Sequence, residues 1–142
     1  MKIAELYQLF LQSTGVATDT RKRLNGRLFF ALSGANFDGN SFAKQALEQG
    51  ASKAVVDDPS LSGRDFIKVS STLDTLQQLA HFHRLRWRFP VIGLTGSNGK
   101  TTTKELLVAA LSTEFQVGYT QSNLNNHIGV PLTLLSIPAS SQ

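Results

Sequence analysis

Eight consecutive residues, Thr95-Gly96-Ser97-Asn98-Gly99-Lys100-Thr101-Thr102, carry the sharpest chemical signal in the sequence. Glycines let backbone N–H groups converge on phosphate oxygens, and a helix opening at the end of such a loop adds about half a positive charge. Lys100 supplies a mobile cation for β- and γ-phosphates, and the Thr101 hydroxyl is a candidate Mg²⁺ ligand. Thr102 can cap the phosphate or the helix. All eight residues are therefore candidate nucleotide contacts, with Lys100 and Thr101 as the candidate catalytic pair. Gly-Lys-Ser/Thr alone arises by chance in roughly one chain of this length in fifteen. An apolar strand before it and a helix after it make the signal more specific. The common G-x-x-x-x-G-K-T spacing would place glycine at position 94, where Leu94 stands; the glycines fall instead at 93, 96 and 99. The plain alternative is a glycine turn beside an exposed lysine. No Asn-Lys-x-Asp for guanine occurs, so ATP is favoured over GTP.

Asn123, Asn125 and Asn126 place three amides within four residues, ahead of Gly129 and Pro131. Amides both donate and accept, which suits a loop that touches substrate and phosphate; a polar loop with an asparagine helix cap is the plainer reading. On chemistry alone Asp19-Thr20-Arg21 is equally a solvated turn or a binding segment, and Asp38-Gly39-Asn40 is a turn followed by a helix cap. His127 reads as a surface or packing residue. His81, His83, Arg84, Arg86, Trp87 and Arg88 interleave bases with aromatics, but Arg84 and Arg88 share one helix face. A solvated basic face accounts for them better than nucleic-acid binding.

These residues need elements to position them. Ile3, Leu6, Leu9 and Phe10 recur at helical spacing and predict a helix over 2–12. Leu28-Phe29-Phe30-Ala31-Leu32, between Gly26 and Gly34, reads as a buried strand. Ser41 to about Gln49 reads as a helix stopped by Gly50, followed by strands at 54–56 and 66–69. Leu73, Leu76, Leu79, Ala80, His83 and Trp87 give a longer helix from 72 to about 88, capped by Ser70, Ser71 or Thr72 and ended by Pro90. After Pro90, Val91 to Thr95 reads as a strand, Lys100 onward as a helix, and Gln116 to Tyr119 as a second strand: the opening of a parallel nucleotide-binding unit. The expected fold is α/β, with a small N-terminal α/β substrate domain over 1–84 and the start of a P-loop ATPase domain over 85–142. A complete doubly wound domain needs five or six strands, so 85–142 is expected to be the first part of something larger.

Composition sets outer bounds. The 142 residues are 41% apolar and 17% charged, below the roughly 25% charged residues of an average soluble protein, so charge-driven disorder is excluded. The net charge of +4 fits an anionic partner. With no cysteine, disulfides, thiolate nucleophiles and Cys-bound zinc are ruled out. The apolar runs are too short to span a bilayer and the N-terminus lacks a secretory pattern, so a cytoplasmic protein without a membrane partner is expected.

The loop from Gly93 to Thr102 resembles that of the Mur ligases, whose pattern T-G-[TS]-[NS]-G-K-T-[TS] lacks the upstream glycine, so Leu94 is ordinary there. Asp19-Thr20-Arg21, then Gly26-Arg27-Leu28-Phe29-Phe30-Ala31-Leu32-Ser33-Gly34 and Phe37-Asp38-Gly39-Asn40, resemble the D-[ST]-R…G-x-x-F-x-A-L-x-G…D-G-H segment of the same family. Asn40 stands where a histidine is usual. Asn123 to Leu135 resembles N-x-N-N-x-x-G-x-P-x-T-L-L of the branch that adds D-alanyl-D-alanine to a UDP-N-acetylmuramoyl-tripeptide (UDP-MurNAc-tripeptide).

The resemblance implies an ATP- and Mg²⁺-dependent amide ligase of peptidoglycan precursor synthesis. It implies UDP-MurNAc-tripeptide and D-Ala-D-Ala as substrates and a monomeric state. Thr20, Arg21, Gly34, Asp38, Gly39 and Asn40 would line a UDP-sugar pocket, where Arg21 offers an anion a planar fork that Lys cannot. Asn123, Asn125 and Asn126 would contact substrate. The 142 residues alone are expected to be inactive. Three other readings stay open: a non-catalytic UDP-sugar-binding module, a Mur ligase that adds the third amino acid, and an unrelated P-loop kinase or GTPase.

Overall fold

The structure is a computed structural model that describes residues 1–34, 36–121 and 124–137. Strand patterning decides its centre. In β1 (Val16–Ala17), β2 (Leu28–Phe30), β5 (Lys53–Val56) and β6 (Phe66–Lys68) neighbouring apolar side chains point to opposite faces, as a two-residue period requires. The four strands form a parallel sheet in the order β1-β2-β5-β6, with Leu28 opposite Val16 and Lys53, and Val55 opposite Ile67. A separate antiparallel hairpin, β3 (Ser33–Gly34) with β4 (Phe37–Asp38), grows from the carboxyl end of β2.

Both sheet faces are covered, which is why the strands are nearly continuously apolar. On one face Val16, Leu28, Phe30, Val55 and Ile67 pack with Leu6, Tyr7 and Phe10 of α1 (Ile3–Gln12) and Leu76, Leu79 and Ala80 of α3 (Thr72–Arg84). The other face is rich in alanine: Ala17, Ala31 and Ala54 meet Ala43 and Ala46 of α2 (Ala43–Glu48). Small side chains on both partners let this short helix lie close to the sheet. Each fully buried Phe or Leu is worth about 1.5–3 kcal/mol, so the large residues of the first face provide most of the cohesion.

Ser71 is the α3 cap, its side chain accepting from Asp74 N–H at 3.2 Å. The helix ends at Arg84, earlier than the periodicity suggests, while Trp87 stays buried beyond it. The sequence missed β1, too short to show a period, and the β3–β4 hairpin. It also predicted strands at 91–95 and 116–119, and neither segment belongs to a strand among the described residues. A strand is defined by its partner, and among the described residues these segments find none; Val91 and Ile92 are exposed. Beyond them, α4 (Lys100–Leu111) has no buried residue, whereas α5 (Gly129–Ser136) returns to α3 and adds Leu135 to the first core. His83 joins the two: its ring nitrogens meet Tyr7 Oη at 3.1 Å and the Ile137 carbonyl at 2.7 Å.

Candidate functional site

Two groups of candidate residues emerge, each placed by different physics. The first lies along the carboxyl edge of the sheet, where loops leaving parallel strands bring side chains together. After β1, Asp19 accepts the Arg21 backbone N–H at 2.9 Å and clamps its guanidinium through Nε at 2.9 Å and Nη2 at 2.7 Å. That hydrogen-bonded cation holds the Asp19 carboxyl down to about 2. Arg21 is thus fixed in direction but still open to solvent, and Thr20 sits half-buried beside it.

After β2, Gly34 lies exposed in the hairpin and Gly39 fits where nothing larger can: a Cβ there would lie 2.2 Å from the Leu32 carbonyl oxygen. Asp38 Oδ1 accepts from Ser33 Oγ at 2.8 Å, Asn40 N–H at 2.9 Å and Asn40 Nδ2 at 3.0 Å, which lowers its carboxyl below the ordinary range, the serine bond contributing most. Asn40 is only 7% exposed. Its Nδ2 also donates to Asp57 Oδ1 at 2.8 Å, and its Oδ1 accepts from Asp57 N–H at 3.2 Å and Asp58 N–H at 3.4 Å. With its whole bonding capacity spent inside the protein, Asn40 holds the Asp38 loop.

The second group is the phosphate loop. Residues 95–99 are exposed, Gly96 and Gly99 have φ of +141° and +76°, and Gly99 opens α4 in the left-handed conformation without any side-chain cap. The first-turn N–H groups of a helix have no intrahelical acceptor, so these donors face the loop. Lys100 Nζ folds back to donate to the Gly96 carbonyl. Among the described residues, nothing beyond the chain neighbours lies within 4 Å of a Cβ built on Gly93 or Gly99, which leaves room for phosphate oxygens. The donor set therefore fits a nucleotide polyphosphate. Thr101 and Thr102 are exposed in the first turn, with Thr101 Oγ1 the protein-side oxygen suited to a Mg²⁺ ion shared with phosphates.

Asn125 is exposed, and Asn126 Oδ1 accepts from Ile128 N–H at 3.1 Å and Gly129 N–H at 2.7 Å, capping α5 as the plainer reading of the triplet had it. Asn123 lies outside the described residues. Sequence reasoning missed Lys104, whose Nζ donates to the Thr120 carbonyl at 2.8 Å and ties α4 to the segment leading to the asparagines. It also missed Asp57 and Thr72, whose partners lie 15 or more positions away, and Ser33, which bonds Asp38 five positions on.

Comparison with known proteins follows this division. The Mur ligase family, catalytic domain, matches residues 12–84, and the Mur ligase middle domain matches 94–142. The chain belongs to the Mur ligase family. It is similar to the UDP-N-acetylmuramoyl-tripeptide–D-alanyl-D-alanine ligases of Bacillus subtilis, at 48% identity over 90% of this chain, and Escherichia coli, at 43% over 86%. Those alignments cover 29% and 27% of the relatives, so the chain spans less than a third of their length. Among solved structures, MurF from Acinetobacter baumannii superposes with a TM-score of 0.83 at 35% identity, over 95% of this chain and 33% of that one. MurF from Thermotoga maritima in complex with ADP gives 0.79 at 33% identity, over 89% and 29%. These likenesses bear out the α/β architecture expected from the sequence. Among the described residues no helix is long and apolar enough to cross a membrane.

Proposed function

We propose that the chain supplies the UDP-sugar-binding unit, over residues 1–84, and the phosphate loop, over 85–142, of a cytoplasmic ligase that joins D-Ala-D-Ala to UDP-MurNAc-tripeptide. The observation that carries this reading is the phosphate loop: uncapped N–H groups at the start of α4, open space at Gly93 and Gly99, and Lys100 folded across its mouth. An amide does not form from a free carboxylate and an amine at neutral pH without activation. In the proposed reaction the tripeptide carboxylate attacks the γ-phosphorus of ATP, ADP departs, and an acyl phosphate results. The dipeptide amine then attacks the acyl carbon, phosphate leaves with the bonding electrons, and the amine loses a proton. Lys100 and the first-turn N–H groups offset charge on the transferring phosphoryl oxygens and orient them. Thr101 would hold a Mg²⁺ ion that neutralises phosphate charge. Arg21 would pair with an anionic group of the UDP-sugar, near Thr20, Gly34, Asp38 and Gly39.

Calorimetry on the 142-residue chain tests both halves. ADP and UDP-MurNAc-tripeptide are each expected to bind, and Lys100→Ala is expected to weaken ADP by about 10- to 150-fold, the worth of one charge-assisted bond, with the uridine ligand unaffected. Equal ADP affinity in the variant would remove Lys100 from the site. Because the chain spans less than a third of its relatives, it is expected to release no phosphate from ATP with both substrates present.

A further inference from the structure

A polar bridge crosses the carboxyl edge of the sheet and ends on an acid with one oxygen to spare. Thr72, at the start of α3, gives both its backbone N–H and its hydroxyl to Asp57 Oδ2, each at 2.9 Å. Asp57, just past β5, accepts Asn40 Nδ2 on its other oxygen at 2.8 Å, and Asn40 in turn fixes Asp38 Oδ1. Asp38 Oδ2 has no hydrogen-bond partner among the described residues and lies on the exposed hairpin. We infer that Asp57 and Thr72 are positioning residues of the uridine-nucleotide pocket: through Asn40 they hold Asp38 so that Oδ2 stands ready to accept a ligand hydroxyl or imide N–H.

Local stability explains only part of this arrangement. Ser71 takes the Asp74 N–H and Asp57 the Thr72 N–H at the first turn of α3, and the Thr72 hydroxyl also lies 3.1 Å from the Ala31 carbonyl, but none of these bonds requires Asp57 to reach Asn40 as well. Burial of Asp57 opposes its ionisation, yet the donors from Thr72 and Asn40 outweigh that and keep its carboxyl below the ordinary range. A half-buried carboxylate with all its partners in place rigidifies its surroundings more than it stabilises them. What it rigidifies is a hairpin of two-residue strands whose Ser33, Gly34, Phe37 and Asp38 are all exposed. Asp57 and Thr72 would thus act without touching the ligand.

The inference rests on the reading that residues 1–84 take a UDP-sugar, and the test separates the two. On the 142-residue chain, Thr72→Val, Thr72→Ser and Asp57→Asn are compared by calorimetry with UDP-MurNAc-tripeptide, by ADP binding as a control, and by amide exchange at Asn40 N–H. Asp57→Asn sets an amide donor against existing donors and is expected to weaken the uridine ligand about tenfold and to speed Asn40 exchange by a similar factor. Thr72→Val, which keeps the side-chain volume, is expected to move both in the same direction by a smaller factor, Thr72→Ser to restore them, and ADP affinity to stay put. If Asp57→Asn does not fold, the Thr72 pair carries the test. Variants that fold and leave uridine affinity and Asn40 exchange unchanged would overturn the inference. So would a loss shared equally by ADP, which would mark a general structural role. A wild-type chain that binds ADP but not the uridine ligand would overturn the reading beneath it.

Discussion

The sheet unit and the phosphate-loop segment reach functional geometry by opposite routes. In the first, Arg21, Asp38 and Gly39 sit on loops leaving strands whose side chains are buried on both faces, and Asn40 ties its near neighbour Asp38 to Asp57 and Asp58, 17 and 18 positions away. In the second, the loop is shaped by the φ angles of Gly96 and Gly99 and by the start of a helix with no buried residue. One candidate group leans on tertiary packing, the other on local backbone. The contrast shows why a glycine loop can be recognised from eight residues while a group assembled at a sheet edge cannot.

Paired core truncations probe the contrast most strongly. Leu76→Ala removes a fully buried side chain between α1, α3 and the sheet, and is expected to cost about 2–5 kcal/mol in urea denaturation. Leu106→Ala, on a residue 67% exposed, is expected to stay within about 0.5 kcal/mol. Comparable losses would mean that α4 is packed in solution and would break the comparison.

Glycines sharpen it at the next level down. Gly39→Ala drives a Cβ into the Leu32 carbonyl and the Ala31 backbone, so it is expected to cost about 1–3 kcal/mol and to displace the Asp38 hairpin. Gly99→Ala meets no neighbour and carries only the left-handed backbone penalty of about 1–2 kcal/mol, felt as weaker ADP binding because the loop itself must relax. Melting curves and ADP titrations of the two variants should therefore dissociate: the first lowers stability and spares ADP, the second does the reverse.

The same division governs what was legible in advance. Helices α1 and α3 were readable because four or more apolar residues repeat at helical spacing, and Lys100 to Leu111 because the glycine turn announces its start. Strand β1 was not, since two residues carry no period, and the predicted strand at 91–95 has the right composition but no partner among the described residues. Among candidate site residues, the glycine loop is legible in sequence because its shape is set by its own backbone. Asn40 is a candidate ligand contact only through the family resemblance, since Asp-Gly-Asn by itself reads as a turn and helix cap; its burial against Asp57 is something only the fold brings to it. Asp57 itself looked like the end of a strand.

The smallest expected effect tests how tightly the sheet edge holds Arg21. The Asp19 carboxyl, bonded to the Arg21 side chain and backbone N–H, lies at about 2 against an ordinary 3.8. A group whose folded value is depressed favours the folded form above its unfolded value and loses that contribution as pH falls through the folded one. The Asp19–Arg21 clamp is therefore expected to be fully formed above the ordinary 3.8, to weaken as pH falls below it, and to be half lost where the carboxyl titrates, at about 2. Carboxyl carbon shifts of Asp19 against pH should show that low midpoint, and exchange of the Arg21 N–H should quicken over the same window. The Thr103 N–H, which donates to the Gly99 carbonyl at 2.9 Å without any carboxylate, should not respond while the chain stays folded. A midpoint near 3.8 would mean that Arg21 turns freely in solution, and the carboxyl edge would then present a mobile cation instead of a fixed fork.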